Sequence, residues 1–113
     1  AGVDVVADAA DYVHPVPADV VVSTEMLEHT PNGGRIVARC AGNLRPGGVL
    51  ILTAAGPGRA PHSAIDENPI RPEEHYGNIE PGDLERWLAD AGFSSWDIDV
   101  RQHPADIRAF AVR

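Results

Sequence analysis

The sequence predicts an α/β domain whose sheet is mostly parallel and closes in an antiparallel hairpin. Three observations carry that expectation. Two short valine-rich runs, "VDVVAD" (Val3–Asp8) and "DVVVST" (Asp19–Thr24), are apolar enough to be strands covered on both faces. Runs with apolar residues at helical spacing alternate with strand-like runs further along the chain. The last two strand-like runs are joined only by "HPA", too short for a parallel crossover.

Taken in order, Val3–Asp8 and Asp19–Thr24 read as inner strands. Between them Pro15 and Pro17 forbid a long regular element, so "AADYVHPVPA" is expected to be loop with at most one turn of helix. Ile36, Val37, Cys40 and Leu44 fall on one helical face, and "RPGG" (Arg45–Gly48) is expected to stop that helix before the next strand, "VLILTAA". From Gly56 to Ile79 the composition turns to proline, glycine, charge and histidine without a sustained apolar period. A connection that long inside one domain is more often a functional loop or lid than a passive link. In "PGDLERWLADAGF", Leu84, Trp87, Leu88 and Ala91 keep helical spacing. Pro81 suits the first helical position, Asp83 complements the helix N-terminus, and Gly92 can take the left-handed stop. "SWDIDVRQ" and "DIRAFAVR" then form the hairpin.

Composition sets the outer limits. At 113 residues and 43% hydrophobic, residues 1–113 make one domain, with 56–79 as its lid. The net charge of -8, from 17 acids against 9 bases with no basic run, argues against nucleic acid as a partner. One cysteine, Cys40, leaves no internal disulfide and fits a reducing compartment. No run reaches ~18 apolar residues and no charged-then-apolar leader opens the chain, so neither membrane insertion nor secretion is expected. The expectation is a soluble, cytoplasmic domain.

Within "DVVVSTEMLEH" an apolar run ends, with no polar turn between, in Glu25, Glu28 and His29. In open parallel sheets ligands sit beyond the carboxyl ends of the strands, which is the place Ser23 to His29 would occupy. Glu25, Glu28 and His29 share about one helical turn, and His62 or His75 could approach from the lid. Carboxylate plus imidazole suits magnesium, manganese or zinc according to the carboxylate count. Without a metal, His29 or His75 could serve as a general base. Equally, Glu25 and Glu28 could be solvated first-turn acids and His29 a packing residue.

In order, "VDVVADAADY", "DVVVSTEMLEH", "NLRPGGVLILTAAGPG", "HYGNIEPGDLERWLADAGF" and the closing hairpin resemble the second half of a class I S-adenosylmethionine-dependent methyltransferase. The wording "EMLEH" is closest to the ubiquinone-pathway O-methyltransferases and their type-11 relatives. The resemblance implies a Rossmann-like sheet from which the family's first two strands and its glycine-rich loop are missing. No "GxGxG" occurs, and "GPG" (Gly56–Gly58) lies after the wrong strand for that role. It therefore implies part of a longer or split protein, completed by an N-terminal segment or a partner chain and not expected to catalyse alone. A catalytically inactive, methyltransferase-like scaffold is the alternative.

The resemblance also assigns roles. Asp8 would accept a hydrogen bond from the adenine amino group, with the Ala9 amide beside a ring nitrogen, while a plain turn cap remains the other reading and Asp11 the nearby rival. Ser23, Thr24 and Glu25 would border S-adenosylmethionine. Glu25, Glu28 and His29 match a Glu-x-x-Glu-His arrangement with which some relatives hold a divalent ion. His29 or His75 would face the methyl-transfer step, Tyr76 and His75 could close over a small-molecule acceptor and Arg59 or Arg71 could hold an acidic one, with a solvated connector as the other reading. Trp87, Phe93, Trp96 and Cys40 read as packing residues.

Overall fold

Apolar runs become strands where they find a ladder partner. The structure, a computed structural model, describes residues 2–113. In chain order it has β1 (Ala18–Thr24), α1 (Gly33–Asn43), β2 (Leu44–Ala55), α2 (Pro81–Asp90), β3 (Ser95–Arg101) and β4 (Asp106–Val112), with a 3-10 turn at Leu27–His29. The sheet runs β1-β2-β4-β3. β1 pairs parallel with β2, whereas β4 is antiparallel to both β2 and β3. Thus β1, β2 and β3 point one way and β4 the other, with β3 and β4 forming the expected hairpin.

Pairing sorts the side chains by face. Val21, Leu50, Ala111 and Trp96 share one register row, and Ser23, Leu52, Ala109 and Ile98 the next. These rows meet the helices. Leu50, Leu52, Ala109 and Ala111 are buried against Ile36, Val37 and Cys40 of α1 and Leu84 and Leu88 of α2. Each fully buried leucine contributes roughly 1.5–3 kcal/mol of transfer free energy, so this layer dominates the core. α2 begins with Pro81 in its first turn, carries Asp83 there, and is followed by Gly92 at φ +87.

Three sequence expectations need correction. Val3–Asp8 forms no strand: nothing in the described residues pairs with it, and Val3, Val5 and Val6 are 68%, 51% and 94% exposed. Valine content cannot hold an extended chain in place without a ladder. β1 forms as expected but is an edge strand covered on one face, with Val20 and Val22 mostly exposed. "RPGG" is not a turn after the helix. α1 ends at Asn43, and β2 starts at once with the fully buried Leu44 opposite Ala18, running through Arg45–Gly48 as an irregular stretch in the β1 register. Gly47, at φ +81, donates its amide to the Arg113 carbonyl, so the distortion is tied into the sheet.

The long connection Gly56–Ile79 contains no helix or strand. The amides of Gly77 and Ile79 donate to the carbonyls of Glu28 and Ala55, each at 2.8 Å, which fixes its returning end over the carboxyl end of β1. Its interior is knotted by a buried serine: Ser63 Oγ donates to Glu74 at 2.8 Å and accepts from Arg71 at 2.9 Å. No helix among the described residues is long and apolar enough to cross a membrane.

Candidate functional site

The site begins where β1 leaves the sheet. Glu25 takes φ 49, a left-handed conformation that costs a residue with a side chain about 1–2 kcal/mol. Two bonds offset this: its amide donates to the Thr53 carbonyl at 2.8 Å, and its carboxylate accepts from Thr53 Oγ1 at 3.1 Å. The turn then sends Leu27 into the core and carries Glu28 in with it, both at 0% exposure. Neither Glu28 carboxylate oxygen has a hydrogen-bond partner. Burial pushes its pKa up from the usual carboxylate range, and the neighbouring Glu25 pushes it further.

Around Glu28 stand three rings, His29 from its own turn and His62 and Tyr76 from the 56–79 connection. His29 Nε2 lies 4.0 Å from Glu28 Oε1. The His29 ring packs edge-on against His62 (centroids 5.0 Å apart) and Tyr76 (5.6 Å), and His62 and Tyr76 are 5.1 Å apart. Burial, then the charge of His62, lowers the His29 pKa below the ordinary histidine value, while burial beside Glu28 raises that of the Tyr76 phenol. One ligand atom each from Glu28, His29 and His62 fall within 4.8 Å of one another.

Where β1 ends, a cavity of about 290 Å³ is lined by Ala9, Tyr12, Ser23, Thr24, Met26 and Cys40, among others. Ala9 is brought there by Asp8, whose Oδ1 accepts the Ala10 amide at 2.8 Å while its carbonyl accepts the amides of Asp11 and Tyr12. Asp8 therefore does cap its own turn, and that turn presents Ala9 to the cavity. Ser23 Oγ is buried and unpartnered on the same wall. Cys40 faces the cavity as well as the core, and burial pushes its thiol up to about 11.

The structure brings together Ala9, Ser23 and Thr24 in the cavity and Glu28, His29 and Tyr76 in the cluster. Other candidates stand apart. Asp11 is exposed and paired with Arg35 at 2.9 Å. His75 is exposed. Arg71 is spent on the lid, donating to Asp66 at 2.7 Å and to Ser63. Glu25 is held by Thr53 and does not belong to the three-residue group that could hold a metal. Tyr12 and Met26, unassigned by sequence, complete the cavity wall. Their only signal was adjacency to Ala9 and Glu25.

Comparison with known proteins follows the same lines. Residues 3–98 match a family model described as a methyltransferase domain. The ubiquinone biosynthesis O-methyltransferase of Xanthomonas euvesicatoria pv. vesicatoria is 33% identical over 92 residues, covering 74% of this chain and 38% of the relative. That of Psychrobacter arcticus is 34% identical over 101 residues, covering 80% and 38%. The chain thus spans well under half the length of these curated relatives. Among solved structures, a SAM-dependent methyltransferase from Archaeoglobus fulgidus superposes with a TM-score of 0.70 at 15% identity, over 96% of this chain and 66% of its own. Burkholderia thailandensis 1,6-didemethyltoxoflavin-N1-methyltransferase, solved with 1,6-didemethyltoxoflavin and S-adenosylhomocysteine, gives 0.63 at 18% identity, over 96% and 49%. The last two likenesses establish the fold.

Proposed function

The chain belongs to the class I S-adenosylmethionine-dependent methyltransferases, and from that premise we propose that it forms one side of the site in an enzyme that methylates a small molecule. The complete catalyst is a longer or split protein. The observation that carries the reading is the shared cavity, in which Ala9, held by the turn that Asp8 caps, faces the Ser23–Thr24 end of β1.

S-adenosylmethionine, when bound, supplies a methyl group on a positively charged sulfur that leaves as a neutral thioether. The chain's own residues would do the rest by placement and water exclusion. The Asp8 carboxylate, acceptor-only, keeps Oδ2 for an exocyclic amine, and the Ala9 amide lies beside it. The unpartnered Ser23 hydroxyl and the end of β1 border the ligand. Tyr76 closes the acceptor side, and Arg71 acts there only through the lid it stiffens. The relatives' name favours an oxygen acceptor. A hydroxyl acceptor must lose its proton, and His29, kept neutral near pH 7 by burial, is placed to take it. The exposed His75 is the second candidate.

Glu28, His29 and His62 also fit a divalent cation, because a buried carboxylate with two orphaned oxygens needs a positive partner. Bound there, the cation would lower the pKa of an acceptor hydroxyl. The inactive scaffold is the alternative reading. Calorimetric titration separates the two. The methyltransferase reading expects S-adenosylhomocysteine to bind, ATP not to, and Asp8→Ala to weaken the first about tenfold, roughly 1.4 kcal/mol. No heat from either nucleoside would favour the scaffold.

A further inference from the structure

α1 buries one face and turns a polar stripe toward residues 8–14. Arg35, Arg39 and Asn43 are spaced four apart, so they form one line along the helix beside the buried Ile36, Val37 and Cys40. The 8–14 segment they meet contains no helix or strand. Arg35 Nη2 donates to Asp11 at 2.9 Å, and Arg39 Nε donates to the Ala10 carbonyl at 3.3 Å. Asn43 bonds twice: its nitrogen donates to the Tyr12 carbonyl and its oxygen accepts the His14 amide, each at 3.0 Å. Among the described residues, every hydrogen bond that leaves residues 8–16 ends on one of these three side chains.

The three contacts are unequal. The Arg35–Asp11 pair is exposed on both sides and is screened by water. Arg39 makes a single long bond. Asn43, half-buried, takes the carbonyl and the amide on either side of Val13, the two groups that a parallel neighbouring strand would take, and one amide orientation serves both. Ala10 is buried in the core, but a single methyl group does not fix the direction of the chain around it. Ala9 and Tyr12, just before and just after these bonded groups, line the cavity that Ser23 and Thr24 also line. We infer that Asn43 is a positioning residue, which holds the Ala9–Tyr12 wall in place and so sets the shape of the cavity its ligand enters. The inference rests on the reading that this cavity takes an adenosyl ligand.

Asn43→Ala provides the test, because alanine is the better helix former and leaves α1 itself no weaker. The reporter is Cys40, the one cysteine of the chain, which is buried on the wall of the same cavity. Asn43→Ala should let an aromatic disulfide reagent reach this thiol about tenfold faster, while the Cys40 amide keeps its protection against hydrogen exchange. In calorimetry the same variant should bind S-adenosylhomocysteine about tenfold more weakly, the loss expected for two hydrogen bonds. Arg35→Ala should leave both quantities within about twofold of the wild type. An unchanged thiol rate in Asn43→Ala would overturn the inference whatever the affinity. So would a faster thiol with an unprotected Cys40 amide, which marks a frayed helix, or an equal effect of Arg35→Ala. A freed thiol with undiminished affinity would overturn it and leave the proposed function standing. A freed thiol in Asn43→Ala, with no ligand bound even by the wild type, would keep the clamp on the cavity wall and sink the proposed function.

Discussion

Glu28 has a carboxylate at 0% exposure with no hydrogen bond to either oxygen, an arrangement that destabilises the fold wherever the group is ionised. Its folded-state pKa is raised above the ordinary 4.5 by burial first, so its favourable contribution is present below pH 4.5 and lost as pH rises through the folded value. Glu28→Gln is therefore expected to raise stability at pH 7 by about 1–3 kcal/mol and to change little at pH 4, read by thermal melts at both pH values. A less stable variant at pH 7 would mean that the ionised carboxylate has a partner. The same melts test the cation: manganese or zinc should raise the melting temperature of the wild-type chain and not of Glu28→Gln, whereas equal responses would remove the site. Glu28 and His29 were legible in the sequence because acids so close behind an apolar run are conspicuous. His62 was legible only as a candidate, because it lies far along the chain from His29 and only the folded 56–79 connection decides which histidine arrives.

The helices show how far local patterning reaches. α2 could be read to its ends, since Pro81, Asp83 and Gly92 act through the backbone within a turn of their own positions. The start of β2 could not, because Leu44–Gly48 joins the sheet through Ala18, Asp19 and Arg113, all distant in sequence. Nor could the contact between α1 and α2 be read. A Cβ on Gly33 would lie 2.7 Å from Trp87 Cη2, so the glycine is there to let the indole approach. Gly33→Ala should cost about 1–3 kcal/mol by overpacking. Gly42, near the end of the same helix, has nothing within 4 Å of its would-be Cβ, and Gly42→Ala should gain about 0.4–1 kcal/mol. Urea unfolding of the two variants checks the pair. Equal effects would show that helix propensity, not the indole contact, governs both positions.

For the whole molecule, the antiparallel hairpin followed from its short connection, and the fold class is as expected. Val3–Asp8 and β1 both have the composition of inner strands, yet the first is unpaired and the second is an edge, because composition states a preference for a ladder and only a neighbouring strand supplies one. The proposed function requires one adenosyl ligand to touch both the Ala9 turn and the end of β1 across the cavity they share. Amide chemical shifts of the isotope-labelled chain, recorded during titration with S-adenosylhomocysteine, test it most directly. Ala9, Ser23, Thr24 and Met26 should shift together with a single dissociation constant. Shifts confined to one of the two segments, or centred on the β3 edge, would contradict it.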